Sequence, residues 1–273
     1  GEDCVVTDVG STKRAVVSGI DDRRFVGGHP LAGAETSGIE HARADLFAGA
    51  TWYLTPTAAA SGILLERLMR MVAGLGALPV ATDADTHDRL MASVSHLPHV
   101  LANVLVAQAA RTLSDDGERL PATGPSFRDA PRVAGADGSV WTDIYLSNSD
   151  ALGAVLGETV TRLETVRSAL AAGDRDAIES WNDGAAGDRR ALLEAGLAGG
   201  EVHELRASVP NRPGVIADIA LALGRAGVNI VDMALSPSSD MSQGLVALWV
   251  LGDEDAVLAA RLVGELGIPV ARA

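Results

Sequence analysis

Cys4-Val5-Val6-Thr7-Asp8-Val9-Gly10-Ser11-Thr12-Lys13 and, about twenty residues on, Phe25-Val26-Gly27-Gly28-His29-Pro30-Leu31-Ala32-Gly33 decide the fold of the first third of the chain. Each opens as a short apolar run of strand type and closes on turn-forming residues. Outward from them, Thr51 to Leu54 and Leu78 to Ala81 are further strand candidates. Ser61 to Gly74 carries Ile63, Leu64, Leu68, Met71 and Val72 at a helical period. Strands alternating with helical stretches predict part of a parallel α/β sheet over residues 1–82.

Strand signals then stop. Asp85 to Leu113 is a long apolar helical tract that Pro98 should interrupt. Asp143 to Ala171 is a second, with Leu146, Leu152, Val155, Leu156, Val160, Leu163 and Val166 on one face, and Asp174 to Leu197 is a third, polar one. Between the first two lies a segment rich in Gly, Pro and Ser, from Gly117 to Gly138. Residues 83–198 therefore read as a helical domain, with apolar surface enough for a dimer core. From Gly199-Gly200 onward the pattern becomes strand (Val202 to Val209), helix (Gly214 to Ala226), strand (Asn229 to Leu235), strand (Gly244 to Val250), helix (Asp253 to Leu266), strand (Ile268 to Ala271). That order is the βαββαβ unit of ferredoxin-like folds, over residues 199–273.

The formal charge is -14 and the pI about 4.7, with Lys13 the only lysine, so nucleic acid and anionic membrane are poor partners. Hydrophobic residues make up 47% of the chain but aromatic ones only 3%, so the cores must be built from Ala, Val and Leu. An anionic ligand would have to be attracted locally, by arginines. A single cysteine, Cys4, excludes an intrachain disulfide and a cysteine zinc site. No unbroken apolar run approaches the roughly 18 residues of a membrane span and no signal peptide opens the chain, so the expectation is a cytoplasmic protein. Gly1 lies almost against a core strand, which suggests that a segment precedes it.

Asp8 to Lys13 falls where a strand ends and a helix begins, the place where open α/β sheets bind ligands. Gly10 would let backbone approach a ligand there and Ser11 can donate or accept, although an ordinary helix cap fits as well. Gly27 to Gly33 reads as a tight loop presenting one imidazole, His29, with a pKa suited to proton transfer; a structural histidine in a glycine turn is the alternative. His96 and His99, in Ser95-His96-Leu97-Pro98-His99, project from one side of a helical turn. Their spacing occurs in zinc sites, but no third ligand is near in sequence and no metal is expected. Arg128 and Arg132, in Ser126-Phe127-Arg128-Asp129-Ala130-Pro131-Arg132, would by themselves pass as a solvated polar loop.

Taken together and in this order, Asp8 to Lys13, Gly28-His29-Pro30-Leu31-Ala32-Gly33, the Ser95 to His99 string, and Arg128 to Arg132 followed by Trp141-Thr142-Asp143-Ile144 resemble the prephenate dehydrogenase family. Val209-Pro210-Asn211-Arg212-Pro213-Gly214-Val215-Ile216 with Ala226-Gly227-Val228-Asn229-Ile230 is similar to an ACT domain, a module that commonly binds amino acids between two copies. The resemblance implies a partial Rossmann-like sheet, a helical dimerisation domain and an ACT regulatory domain, that is α/β plus all-α plus α+β. It implies NAD as cofactor, with NADP left open, and a homodimer. The implied reaction is oxidative decarboxylation of prephenate to 4-hydroxyphenylpyruvate in tyrosine biosynthesis. Arogenate is the alternative substrate, and an effector-binding dimer without catalysis the alternative role.

Carried over residue by residue, the resemblance makes His29 the proton acceptor and Ser11 its partner on the substrate hydroxyl. Asp8, Gly10 and Ser11 lie on the cofactor side. Arg132, with Arg128 as substitute, would anchor the ring carboxylate, and His99 and His96 would face the pyruvyl side chain. Asn211, Arg212, Gly214 and Asn229 would hold the effector, expected to be tyrosine. Family members open with a Gly-x-Gly-x-x-Gly turn that cradles the dinucleotide pyrophosphate. No such motif occurs here, and it is expected upstream of Gly1.

Overall fold

Why Gly27 and Gly28 stand side by side becomes clear from the sheet they belong to. In the computed structural model, which describes residues 4–33, 42–114, 127, 133–195, 201–238 and 242–272, both glycines lie within strand β2 (Phe25–Pro30) and not in a loop after it. A Cβ on Gly28 would stand 2.5 Å from the Asp8 carbonyl oxygen and 2.7 Å from Thr7 Oγ1. Only glycine allows the backbone at the end of β1 (Val6–Thr7) to approach so closely. The strand therefore continues through His29 and Pro30, and the imidazole is presented from a strand end.

The chain divides into two compact units, residues 1–120 with 131–163, and residues 121–130 with 164–273. In the first, β1, β2, β3 (Thr51–Pro56) and β4 (Leu78–Ala81) form a sheet in that order. The expectation of a wholly parallel sheet is corrected here: β1–β2 and β3–β4 are parallel, but β2 and β3 run antiparallel, with His29 opposite Tyr53. An antiparallel pair needs no crossover helix, and the described part of the β2–β3 connection contains only turns.

Short helix α1 (Arg14–Ser18) follows β1, and α2 (Gly62–Gly74) leads to β4. Leu64, Leu68 and Val72, spaced four apart, form the buried stripe of α2, while Ile63 and Met71 of the predicted face are exposed. Leu68 and Val72 close on Val26, Trp52, Leu54 and Ala77. Truncating Leu68, which is 1% exposed, to Ala would cost about 2–5 kcal/mol.

Helix α3 (Ala84–Met91) starts at Asp83, whose side chain caps the Thr86 N–H. It passes into a π-helical turn, Ala92–His96, and then α4 (Leu97–Ser114). Pro98 does not interrupt the tract: the Leu97 N–H reaches back five residues to Ala92 O, so the wide turn precedes the proline and absorbs its missing donor. The resulting stretch Ala84–Arg111 is, by length and composition, apolar enough to cross a membrane, which corrects the count of unbroken apolar runs. Its His87, Asp88, His96 and His99 are buried in the unit's own hydrogen-bond network, as in a core helix.

The second predicted helical tract is two helices, α5 (Gly138–Ser147) and α6 (Ser149–Ala172), broken at the buried Asn148. Leu152 of its apolar face is buried, whereas Leu146, Val160 and Leu163 are exposed.

In the second unit, α7 (Arg175–Ala195) precedes β5 (Val202–Pro210), α8 (Val215–Arg225), β6 (Ile230–Pro237), β7 (Gln243–Leu251), α9 (Asp253–Glu265) and β8 (Val270–Arg272). The strands are ordered β6-β7-β5-β8 with every pair antiparallel, as the βαββαβ reading requires. Alternate residues Leu205, Ala207 and Val209 pack with Ile219, Leu223, Ala259 and Val263 in one core.

Candidate active site at the end of β2

Asp8 organises the first half of the site. Its Oδ1 accepts from the Gly28 N–H at 2.9 Å, and its Oδ2 from the Gly10 N–H at 2.8 Å and Lys13 Nζ at 2.5 Å. One carboxylate thus ties the β1–α1 loop to β2 beside His29. Lys13 is completely buried; burial lowers its pKa although Asp8 opposes the shift. Ser11, between these anchors, is half-buried and its hydroxyl has no partner among the described residues.

His29 is 9% exposed. Its Nδ1 lies 2.9 Å from His87 Nε2, and His87 Nδ1 lies 2.8 Å from Asp88 Oδ1. His87 and Asp88 are fully buried. Asp88 also accepts from the backbone N–H groups of Lys13 at 2.8 Å and Arg14 at 2.9 Å. Burial alone would raise its pKa, but the hydrogen bonds from His87, Arg14 and Lys13 bring it below the usual value. The His29 pKa is lowered to about 4, first by burial and then by His87 and Lys13. The Nε2 of His29 has no protein partner among the described residues.

The two imidazoles of the His-x-x-His string meet on one indole. His99 stacks on Trp141 at 3.6 Å and 3°, and His96 meets the same ring edge-on at 6.2 Å. His96 Nδ1 accepts from Asn148 Nδ2 at 3.2 Å; Asn148 also donates to Asp88 O at 2.7 Å and accepts from Arg14 Nη2 at 2.9 Å. His99 Nδ1 is bonded to the Tyr145 hydroxyl and accepts from Asn103 Nδ2 at 3.3 Å, while its Nε2 is buried without a partner. Burial lowers the pKa of both histidines.

The structure therefore joins His29, His96, Asp8 and Gly10 in one connected network, with His99 beside it on Trp141, all within the first unit. Arg128 and Arg132 lie outside the described residues. Sequence reasoning missed His87, Asp88, Arg14, Asn103, Tyr145 and Asn148, and quoted Lys13 and Trp141 without giving either a role. A signal for His87 and Asp88 was present: two polar residues directly behind the Asp83 cap, inside an otherwise apolar tract, require buried partners.

In the second unit, Asn211, Arg212 and Gly214 form the turn between β5 and α8. The Asn211 N–H donates to Ser242 O at 3.0 Å, Arg212 pairs with Asp218 at 2.9 Å, and Gly214 takes φ 88°. Asn229 is not brought to them. The register sets Pro210 opposite Gln243, at one end of β7, and Ile230 opposite Val250, at the other. Within one copy, Asn229 and the turn lie at opposite ends of the sheet.

Residues 1–80 match the nucleotide-binding domain of prephenate dehydrogenase, residues 83–182 its dimerization domain, and residues 203–257 the ACT domain. Prephenate dehydrogenase of Bacillus subtilis is 29% identical over 265 residues, covering 92% of this chain and 69% of the relative. The probable prephenate dehydrogenase NovF of Streptomyces niveus is 31% identical over 88% of this chain and 69% of the relative. A crystal structure of prephenate dehydrogenase from A. aeolicus, in complex with hydroxyphenyl propionate and NAD+, superposes with a TM-score of 0.66 at 29% identity, covering 70% of this chain and 68% of that one.

Proposed function

Because the chain belongs to the prephenate dehydrogenase family, we propose that it converts prephenate to 4-hydroxyphenylpyruvate and carbon dioxide with reduction of NAD. We further propose that it does so as a cytoplasmic homodimer regulated by tyrosine. The reading divides the chain into a nucleotide-binding part over 1–82, a helical substrate and dimerisation part over 83–198, and an ACT part over 199–273. The observation that supports it best is His29: a buried imidazole held by its Nδ1, with its Nε2 free and a pKa lowered to about 4. It is neutral at physiological pH and able to accept a proton.

NAD supplies the hydride acceptor. The residues present fit its nicotinamide end: apolar Val9 is 63% exposed at the carboxyl end of β1, beside Gly10 and the unpartnered Ser11 hydroxyl. Asp8, Gly10 and Ser11 would hold it there. As the carbinol carbon loses hydride, its hydroxyl proton passes to His29 Nε2, and Ser11 orients that hydroxyl. The ring carboxylate then leaves as carbon dioxide and its bonding electrons complete the aromatic ring.

His99 Nδ1 accepts from Asn103, whose Oδ1 is committed to the Gly135 N–H at 3.2 Å. The neutral ring therefore carries its hydrogen on the buried Nε2, a donor suited to an oxygen of the substrate side chain. His96 supports the same side, and Arg132 or Arg128 anchors the ring carboxylate by two-pronged hydrogen bonding. Asn211, Arg212 and Gly214 would take the effector carboxylate with Asn229 supplied by a second copy, since one copy separates them.

The test is His29→Asn in the intact enzyme. Turnover should fall about 10²–10⁴-fold with KM little changed; a near-normal kcat with only KM raised would make His29 a binding residue. Assaying prephenate and arogenate side by side identifies the substrate.

A further inference from the structure

We infer that His87 and Asp88 are positioning residues that lock His29 in the tautomer bearing hydrogen on Nδ1, so that its lone pair is on the outward Nε2. The inference rests on the reading of His29 as proton acceptor and adds how the fold makes it one. A neutral imidazole carries one hydrogen on either of two nitrogens, and only the unprotonated one accepts a proton. The choice is made at Asp88. Its carboxylate is an acceptor only, already receiving the Lys13 and Arg14 N–H groups, so the nitrogen 2.8 Å from it, His87 Nδ1, carries hydrogen. Neutral His87 then offers a lone pair at Nε2, and His29 Nδ1, 2.9 Å away, must donate to it.

The same accounting gives the opposite result at the other two histidines. Asn148 Nδ2 and Asn103 Nδ2 donate to the Nδ1 atoms of His96 and His99, which places hydrogen on their Nε2 atoms. The amide orientations are fixed independently, by Arg14 Nη2 at Asn148 Oδ1 and by the Gly135 N–H at Asn103 Oδ1. The site thus pairs one outward acceptor, His29, with outward donors on the substrate side. Geometry reinforces the lock. Tyr53 meets His87 edge-on at 5.4 Å, and His87 meets His29 edge-on at 5.1 Å, so neither ring can turn over without displacing a neighbour.

The chain has only six histidines, so their tautomers can be read individually from nitrogen-15 chemical shifts of the intact protein near neutral pH. The expected result is hydrogen on Nδ1 for His29 and His87 and on Nε2 for His96 and His99. Finding hydrogen on Nε2 of His29, or His87 protonated on both nitrogens, overturns the inference without reference to activity. Two variants provide the kinetic arm. His87→Gln keeps an acceptor oxygen for His29 Nδ1 and should retain the tautomer and kcat within about tenfold. His87→Leu removes it and should lower kcat by about 10²-fold or more at nearly unchanged KM. If His87→Leu folds and keeps both tautomer and kcat, the positioning role is refuted. Failure of the base reading would look different: His29→Asn with normal kcat while the spectra show the expected tautomers.

Discussion

Replacing Asp88 by Ala removes a carboxylate that is 0% exposed and accepts from His87 Nδ1 at 2.8 Å, Lys13 N at 2.8 Å, Arg14 N at 2.9 Å and Arg14 Nε at 3.4 Å. Arg14 is partly exposed and can turn to water, but the two backbone N–H groups and the His87 ring cannot. Each buried donor left unpaired costs about 1–3 kcal/mol. Water entering the vacated space recovers part of that, so the expected loss is about 3–5 kcal/mol, the range for breaking a buried charged pair. Asp88→Asn keeps one acceptor oxygen but turns an amide N–H₂ towards other donors, and should lose about half as much.

Urea denaturation at fixed protein concentration measures this. With Trp181 and Trp249 changed to Phe, the remaining indoles, Trp52 and Trp141, both report the first unit. The pH dependence provides an internal check. The folded pKa of Asp88 is depressed, so its stabilisation is complete above the unfolded value of about 3.9. It is lost as pH falls through the folded value, and the difference between wild type and Asp88→Ala should shrink in acid. A loss below about 1 kcal/mol near neutrality, smaller than one orphaned buried donor, would show that the network is not held as described.

The acidic limb of kcat/KM should lie below the ordinary imidazole value of about 6.5, because burial and then His87 and Lys13 lower His29 to about 4, against Asp8 and with a small contribution from His96; a limb at 6.5 or above contradicts the assignment. Arg132→Ala should raise KM for prephenate far more than it lowers kcat, and an unchanged KM reassigns the anchor to Arg128. A chain ending near residue 199 should lose tyrosine inhibition while keeping activity; retained sensitivity would put the effector at the active site.

What the sequence revealed followed from local pattern. The βαββαβ unit was legible because every strand alternates and every turn has a breaker, so local and tertiary preferences agree. β2 was cut short at Gly28 because Gly-Gly-His-Pro has turn composition; the need for glycine came from the carbonyl of Asp8, twenty residues away in the chain. Pro98 was read as a break because the π-turn before it leaves no composition signal. His29, His96, His99 and Ser11 were identified as motif residues. Their partners were not, since His29–His87, Lys13–Asp88 and His96–Asn148 join residues 58, 75 and 52 positions apart. No window of sequence contains such pairings, and buried polar partners are decided by packing.

The wide turn at Ala92–His96 limits how this gene can change. An α-helix advances about 100° and 1.5 Å per residue, and a π-turn is one inserted residue accommodated without unwinding the helix. Deleting any one of those five codons would let the segment relax to regular helix and rotate all of α4 by about 100°. His99 would swing off the face of Trp141, and Asn103 would turn away with it. Substitutions can accumulate on either side of the turn, but a single-codon deletion inside it would undo the substrate side of the site while leaving a well-formed helix.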